Sequence, residues 1–276
     1  MRRKARTGRI GAAFKNLASR GEKGLIAYVM AGDPNLSETA EIVLAMEKAG
    51  ADLIELGVPF SDPVAEGPTI QKASERALRG GTTLRQVIDL VASLRRRTEI
   101  PLILMTYCNP IYAFGLPAFF KEAREAGVDG VILPDLPIDE GKEFLKQATR
   151  HGIDLIFLVA PTTTEGRAAK ILREGTGFIY YVSLTGVTGS RLAGAEEIRE
   201  RIQRLKMQLK SMNSDKPVAV GFGISTPEEA KEMARSADGI IVGTALVKVV
   251  ESASTDPDYL RRLSEFVAAL KEAIRL

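Results

Sequence analysis

The sequence predicts an α/β fold: a single (β/α)8 TIM barrel domain over residues 1–276 with an extra N-terminal helix. Three observations carry that expectation. Eight short, nearly continuous apolar runs recur with helical segments between them, as suits parallel strands covered on both faces. One phrase recurs where helices give way to strands: Ala49-Gly50-Ala51-Asp52, Ala126-Gly127-Val128-Asp129 and, more loosely, Ser236-Ala237-Asp238-Gly239. No Pro/Ser linker divides the chain, and the GxGxxG turn of an open dinucleotide-binding sheet is missing after the first run.

The elements follow in order. Residues 1–9 read as a basic tail, since Arg2, Arg3, Lys4, Arg6 and Arg9 all fall there. A first helix is expected over residues 10–19, and a strand over 25–30. Ser37 is expected to cap a helix with Ile42, Ala45, Met46 and Ala49 at helical spacing, ended by Gly50. Strands are expected over 52–56, 102–106, 130–133 and 155–159. Asp139 is expected to cap the helix before the last of these, with Phe144, Leu145 and Ala148 facing inward. Strands follow over 178–182, 218–220 and 239–242. Thr226-Pro227-Glu228-Glu229 is the clearest helix start, with an N-cap Thr, Pro at the first helical position and Glu three residues after the cap.

Composition narrows the function. The net charge of +3 rests on the basic start, and without those five residues the balance is negative. With 6% aromatics and no Trp, the chain lacks the basic, aromatic-laced face of a nucleic-acid binder. One Cys and one His exclude an internal disulfide and a Cys/His zinc site, and no run is long enough to span a membrane. A single Cys fits a reducing, cytoplasmic setting.

In a barrel, chemistry sits at the C-terminal ends of the strands. The segment after the second strand, Gly57 to Gln71, is long and rich in Pro and Gly, as functional loops are. Alternation puts Glu55 on the inward face with Leu53. A buried carboxylate there is either a structural group bound to backbone or Tyr, or a general acid–base with a raised pKa. Glu66, eleven residues on, is a second carboxylate able to reach the same cavity. Asp62, between Pro-flanked turns, either braces the loop or touches a partner.

The later loops read as a phosphate site. Gly186-Val187-Thr188-Gly189, Gly221-Phe222-Gly223-Ile224-Ser225 and Gly243-Thr244-Ala245 each follow a strand, and the last can open a short helix. Tyr28, Met105, Ile132, Phe157 and Tyr180 fall at or near strand ends, where each is either core or cavity lining. Cys108 reads as a small apolar filler, and His151 as a helix-end cation without a catalytic role.

Glu55-Leu56-Gly57-Val58-Pro59-Phe60-Ser61-Asp62-Pro63, followed by Gly67-Pro68-Thr69-Ile70-Gln71, resembles the signature of the tryptophan synthase α subunit family. Gly32-Asp33-Pro34 and the three glycine loops agree in order and spacing, and the likeness runs from about Phe14 to the C-terminus. The resemblance implies a carbon–carbon lyase that cleaves indole-3-glycerol phosphate to indole and glyceraldehyde 3-phosphate without a cofactor. It also implies a β-subunit partner that carries pyridoxal phosphate, receives the indole and completes an α2β2 assembly. On that resemblance Glu55 is the acid–base group and Glu66 the carboxylate that holds the indole N–H. Gly189, Gly223, Gly243 and Thr244 bind phosphate. Tyr180 lies beside Glu55, Thr188 lies on the sixth loop, and Tyr28, Met105 and Ile132 form the indole pocket. Pro59, Ser61 and Asp62 form the partner loop. The family usually has Asp where this chain has Glu66, one methylene longer. That departure leaves three readings: a normal lyase with a shifted loop, a partner-dependent weak lyase, and a non-catalytic activating subunit. Another phosphate-binding barrel, such as a sugar-phosphate isomerase or epimerase, would share the glycine loops but not the Pro-Phe-Ser-Asp-Pro segment.

Overall fold

The computed structural model describes residues 8–182, 191–221 and 223–275. In chain order the elements are α1 (Arg9–Ser19), β1 (Gly24–Met30), α2 (Leu36–Lys48), β2 (Leu53–Gly57), α3 (Pro68–Arg79), α4 (Leu84–Leu94), β3 (Leu102–Met105), α5 (Cys108–Phe114), α6 (Leu116–Ala126), β4 (Gly130–Ile132), α7 (Lys142–His151), β5 (Asp154–Ile156), β6 (Leu158–Val159), α8 (Glu165–Glu174), β7 (Ile179–Val182), α9 (Arg191–Ser211), β8 (Val218–Gly221), α10 (Pro227–Ala234), β9 (Gly239–Val242), α11 (Thr244–Glu251) and α12 (Tyr259–Ala273). All pairings are parallel, in the order β5-β4-β3-β2-β1-β9-β8-β7-β6.

The expected run over 155–159 is divided at Phe157 into β5 and β6. The Tyr180 N–H donates to Phe157 O at 3.3 Å across the gap, so β4 and β7 are joined through one stretch of chain and the barrel closes. Phe157 turns its ring outward, where a Cβ on Gly141 or Gly175 would meet it at 3.0 and 3.4 Å.

Period-two alternation sorts the core into two layers. Outward residues such as Leu25, Ile54, Leu104, Val131 and Val220 pack under the helices. Inward residues, among them Ile26, Leu53, Ile103, Ile132, Ile156, Phe178 and Ile241, fill the barrel. The extra first helix closes the lower end. Ile10, Phe14 and Leu17 share its inner face, and Phe14 lies 5.8 Å from Phe178, ring centre to ring centre. A Cβ on Gly130 would come within 2.9 Å of the Ile10 side-chain tip and 3.1 Å of that of Ile156, so glycine lets the helix sit close. Arg9, expected in the tail, opens this helix and donates to Glu99 and Asp129.

Two expected caps are corrected. Asn35, not Ser37, caps α2, its side chain accepting from Glu38 N at 2.9 Å. Asp139 is drawn to Lys170 at 2.8 Å and Arg167 at 3.5 Å, and α7 begins after Gly141 without a side-chain cap. The Thr226 cap on α10 is present, while Glu229 reaches back to Ser225.

The recurring Asp has a purpose that local reading missed. Asp52 N donates to Leu25 O while Leu25 N donates to Asp52 Oδ2. Asp129 does the same to Leu102, and Asp238 to Val218. Thr176 closes an equivalent ring on Leu155 with its hydroxyl. Each Asp also meets a cation: Lys271, Arg95 and Lys206 respectively. These residues lie at the N-terminal face, where side chains serve stability. Asp129→Ala should therefore leave Arg95 unpaired in its half-buried slot and lower stability by about 3–5 kcal/mol. Urea unfolding checks this, and turnover per folded molecule should be unchanged.

Candidate active site

A cavity of about 420 Å³ opens at the C-terminal mouth of the barrel. Its walls come from strands (Tyr28, Glu55, Met105, Leu158, Tyr180), from the segment after β2 (Glu66, Gly67, Ile70) and from the last two loops (Gly223, Gly243, Thr244). A cavity of about 420 Å³ also lies beneath α1, where Glu22, Asp215 and Asp238 share the lining with Lys15, Lys23 and Lys216. The upper cavity is the candidate because convergent carboxylates with shifted pKa values mark chemistry.

Glu55 projects inward from β2 as alternation requires, and it is 1% exposed. Neither carboxylate oxygen has a hydrogen-bond partner among the described residues. Burial, helped by the negative charge of Glu66, pushes its pKa up to about 8. It is therefore an acid at neutral pH. The structural alternative, a Glu tied to backbone or Tyr, is not what the geometry holds.

Glu66 is seated by a residue that sequence reasoning missed. Tyr107, just past β3, donates its hydroxyl to the Glu66 carboxylate and accepts from Ala65 N–H at 3.1 Å. Its ring packs on Phe60 at 5.1 Å. Gln71 Nε2 donates to Glu66 O at 2.9 Å, and Ser74 binds both Phe60 N and Phe60 O. Burial raises the Glu66 pKa, and the Tyr107 hydroxyl opposes that rise. The two carboxylates thus differ in kind: Glu55 is sealed and unpaired, Glu66 half-buried and anchored. The only signal for Tyr107 was an aromatic at a strand's C-terminal end.

One helix N-terminus at the mouth lacks a side-chain cap. Thr226 caps the N-terminus of α10, whereas α11 starts at Gly243 with no side-chain cap. Gly243 and Thr244, at the start of α11, line the mouth, with Gly223 in a left-handed turn (φ 54°) alongside. Thr188 and Gly189 lie outside the described residues.

Of the other expected residues, Tyr28, Met105 and Tyr180 line the cavity. Ile132 is fully buried in the barrel interior, packed with Met105 below the lining. Pro59 is buried, whereas Ser61 and Asp62 are exposed on the rim, Ser61 donating to Asp62 at 2.7 Å. Val64, beside them, is 82% exposed. Cys108 is half-buried, and burial with the Asp135 charge pushes its thiol up to about 12, which leaves no thiolate. His151 bonds Gln147 O through Nδ1 at the end of α7.

A family profile described as "Tryptophan synthase alpha chain" matches residues 14–275. The chain is 50% identical to the tryptophan synthase alpha chain of Geotalea uraniireducens (strain Rf4) over 267 residues, covering 97% of this chain and 98% of that one. It is 46% identical to the alpha chain of Thermoanaerobacter sp. (strain X514), covering 96% and 99%. Among solved structures it superposes on tryptophan synthase subunit alpha from Legionella pneumophila str. Paris with a TM-score of 0.89 at 38% identity, covering 98% and 99%. A chain of M. tuberculosis tryptophan synthase, in an open form with BRD0059 bound, gives 0.87 at 34% identity, covering 98% and 100%.

Proposed function

The chain belongs to the tryptophan synthase alpha chain family, and from that premise we propose that it cleaves indole-3-glycerol phosphate to indole and glyceraldehyde 3-phosphate. The observation that carries this reading is Glu55, a sealed and unpaired carboxylic acid facing a cavity that ends at an uncapped helix N-terminus.

The reaction returns Glu55 to its starting state. Protonated Glu55 gives its proton to indole C3, which makes the ring an indoleninium cation. The Glu55 carboxylate then takes the proton of the side-chain hydroxyl. The C–C bond breaks, its electron pair neutralises the ring, and an aldehyde forms. No proton is consumed, so a single acid–base group suffices. Glu66 accepts the ring N–H and offsets its positive charge. The uncapped first turn of α11 holds the phosphate, with Gly223, Gly243 and Thr244 around it. Met105 and Ile70 supply the apolar wall for the ring, and Tyr180 flanks Glu55, whose charge adds to burial in raising the tyrosine pKa.

No cofactor is needed by this scheme. The exposed Ser61–Val64 rim suits docking of a tryptophan synthase β subunit in an α2β2 assembly, with pyridoxal phosphate on that partner and indole passed between them. The setting proposed is the cytoplasm. Among the described residues no helix is long and apolar enough to cross a membrane. The Tyr107 seat for Glu66 favours the normal lyase over an activating subunit, because the longer side chain is held rather than adrift.

The test is indole release from indole-3-glycerol phosphate by the chain alone and with a tryptophan synthase β subunit. Cleavage that rises when β is added supports the reading, and no cleavage under either condition overturns it. The pH dependence has a defined sign. Glu55 must start protonated and its pKa is raised to about 8, so kcat/KM should fall above pH 8; it should also fall at the acid end, where Glu66, whose pKa burial raises, loses its charge. A pH series of initial rates reads this directly.

A further inference from the structure

The inward residues that fill the barrel around and below Glu55, Ile26, Leu53, Ile103, Ile156 and Phe178 among them, are apolar. The hydroxyl neighbours of Glu55 are those of the cavity wall, and one of them is unusual. Tyr28 is the register partner of Glu55 across β1 and β2, so both point inward side by side. The Tyr28 hydroxyl is buried and has no hydrogen-bond partner among the described residues. It lies over Gly57, the next inward position of β2, where a Cβ would fall 2.1 Å from the hydroxyl oxygen. The strand that carries Glu55 thus gives up a side chain at its next inward position to seat an unused donor. A buried hydroxyl without a partner is costly and needs a reason.

We propose that the Tyr28 hydroxyl is a positioning donor for Glu55, left empty in the free protein so that it can donate to the Glu55 carboxylate between the two proton transfers. The inference rests on the acid–base reading of Glu55. In the resting state Glu55 is a neutral acid and asks little of a donor. After it protonates indole C3 it is an anion in a dry cavity, and a charge-assisted hydrogen bond is then worth most. The O–H bond of Tyr28 stays intact throughout, and no atom leaves it. Burial, with the charges of Glu66 and Glu55, holds the Tyr28 pKa well above its ordinary value, which keeps it a donor. A bond made only to the ionised intermediate lowers the barrier without tightening substrate binding, so it belongs in kcat.

Tyr28→Phe and Glu55→Gln in the full chain, alone and with a β subunit, test this by indole release. For Tyr28→Phe, kcat should fall about tenfold to a hundredfold, with KM within about twofold. The basic limb of kcat/KM should move up by roughly one pH unit, because the Glu55 anion has lost a donor. Thermal melting should show no loss, since the ring is kept and only an unpaired hydroxyl is removed. An unchanged kcat with an unmoved limb overturns the proposal. So does a loss confined to KM, which would assign the hydroxyl to substrate binding. Glu55→Gln separates the two levels. If it still cleaves, the acid–base reading fails; if it is inactive while Tyr28→Phe is normal, only the role of Tyr28 fails.

Discussion

Glu55→Gln is expected to lower indole release by about 10²–10⁴-fold while making the protein more stable above neutral pH. The loss follows from the absence of a second group able to move both protons. Glutamine keeps the shape but can neither give a proton to C3 nor take one from the side-chain hydroxyl. The gain follows from linkage. The folded pKa of about 8 lies above the ordinary value of 4.5, so stability is full at low pH and declines as the pH rises toward 8. Gln removes that decline. Thermal melts at pH 5 and pH 8.5 should therefore converge in the variant and differ in the parent. Equal pH dependence in both proteins would mean that Glu55 is not the buried acid described.

The second large effect is at Glu66. Glu66→Gln keeps the length and the contact with Tyr107 but removes the charge that faces the ring nitrogen, and it should cost about 10²–10³-fold in kcat. Glu66→Asp keeps the charge and shortens the reach. It should lose the Tyr107 anchor and move the carboxylate by about 1 Å, with a penalty of up to ~100-fold. Steady-state kinetics of both variants test the pair. A faster Glu66→Asp would show that the extra methylene is a defect which Tyr107 does not correct.

What the sequence conveyed depended on range. Strand positions and the inward facing of Glu55 follow from period-two alternation within a few residues, and the structure agrees with both. The bare end of α11 was foreseen as a short helix opening at Gly243. Helix starts were less legible, because Asn35 and Ser37 are both good caps and only the turn geometry chooses between them. The anchor of Glu66 was hidden because Tyr107 is 41 residues away and meets it only through the register of β2 with β3. The split at Phe157 was hidden for a similar reason: its ring is wedged against two glycines that are distant in sequence.

The side-chain rings at the foot of the barrel divide the molecule more finely than its outline suggests. They join β1 to β2, β3 to β4, β5 to β7 through Thr176, and β8 to β9. The junctions between those pairs are tied at the same level by backbone alone, as from Ile54 N to Pro101 O and from Ile179 N to Pro217 O. The barrel is thus a circle of four two-strand quarters, each fastened internally by the residue that heads its second strand. Each can fasten its lower edge as soon as its own second strand has been made, before the ring exists to hold it.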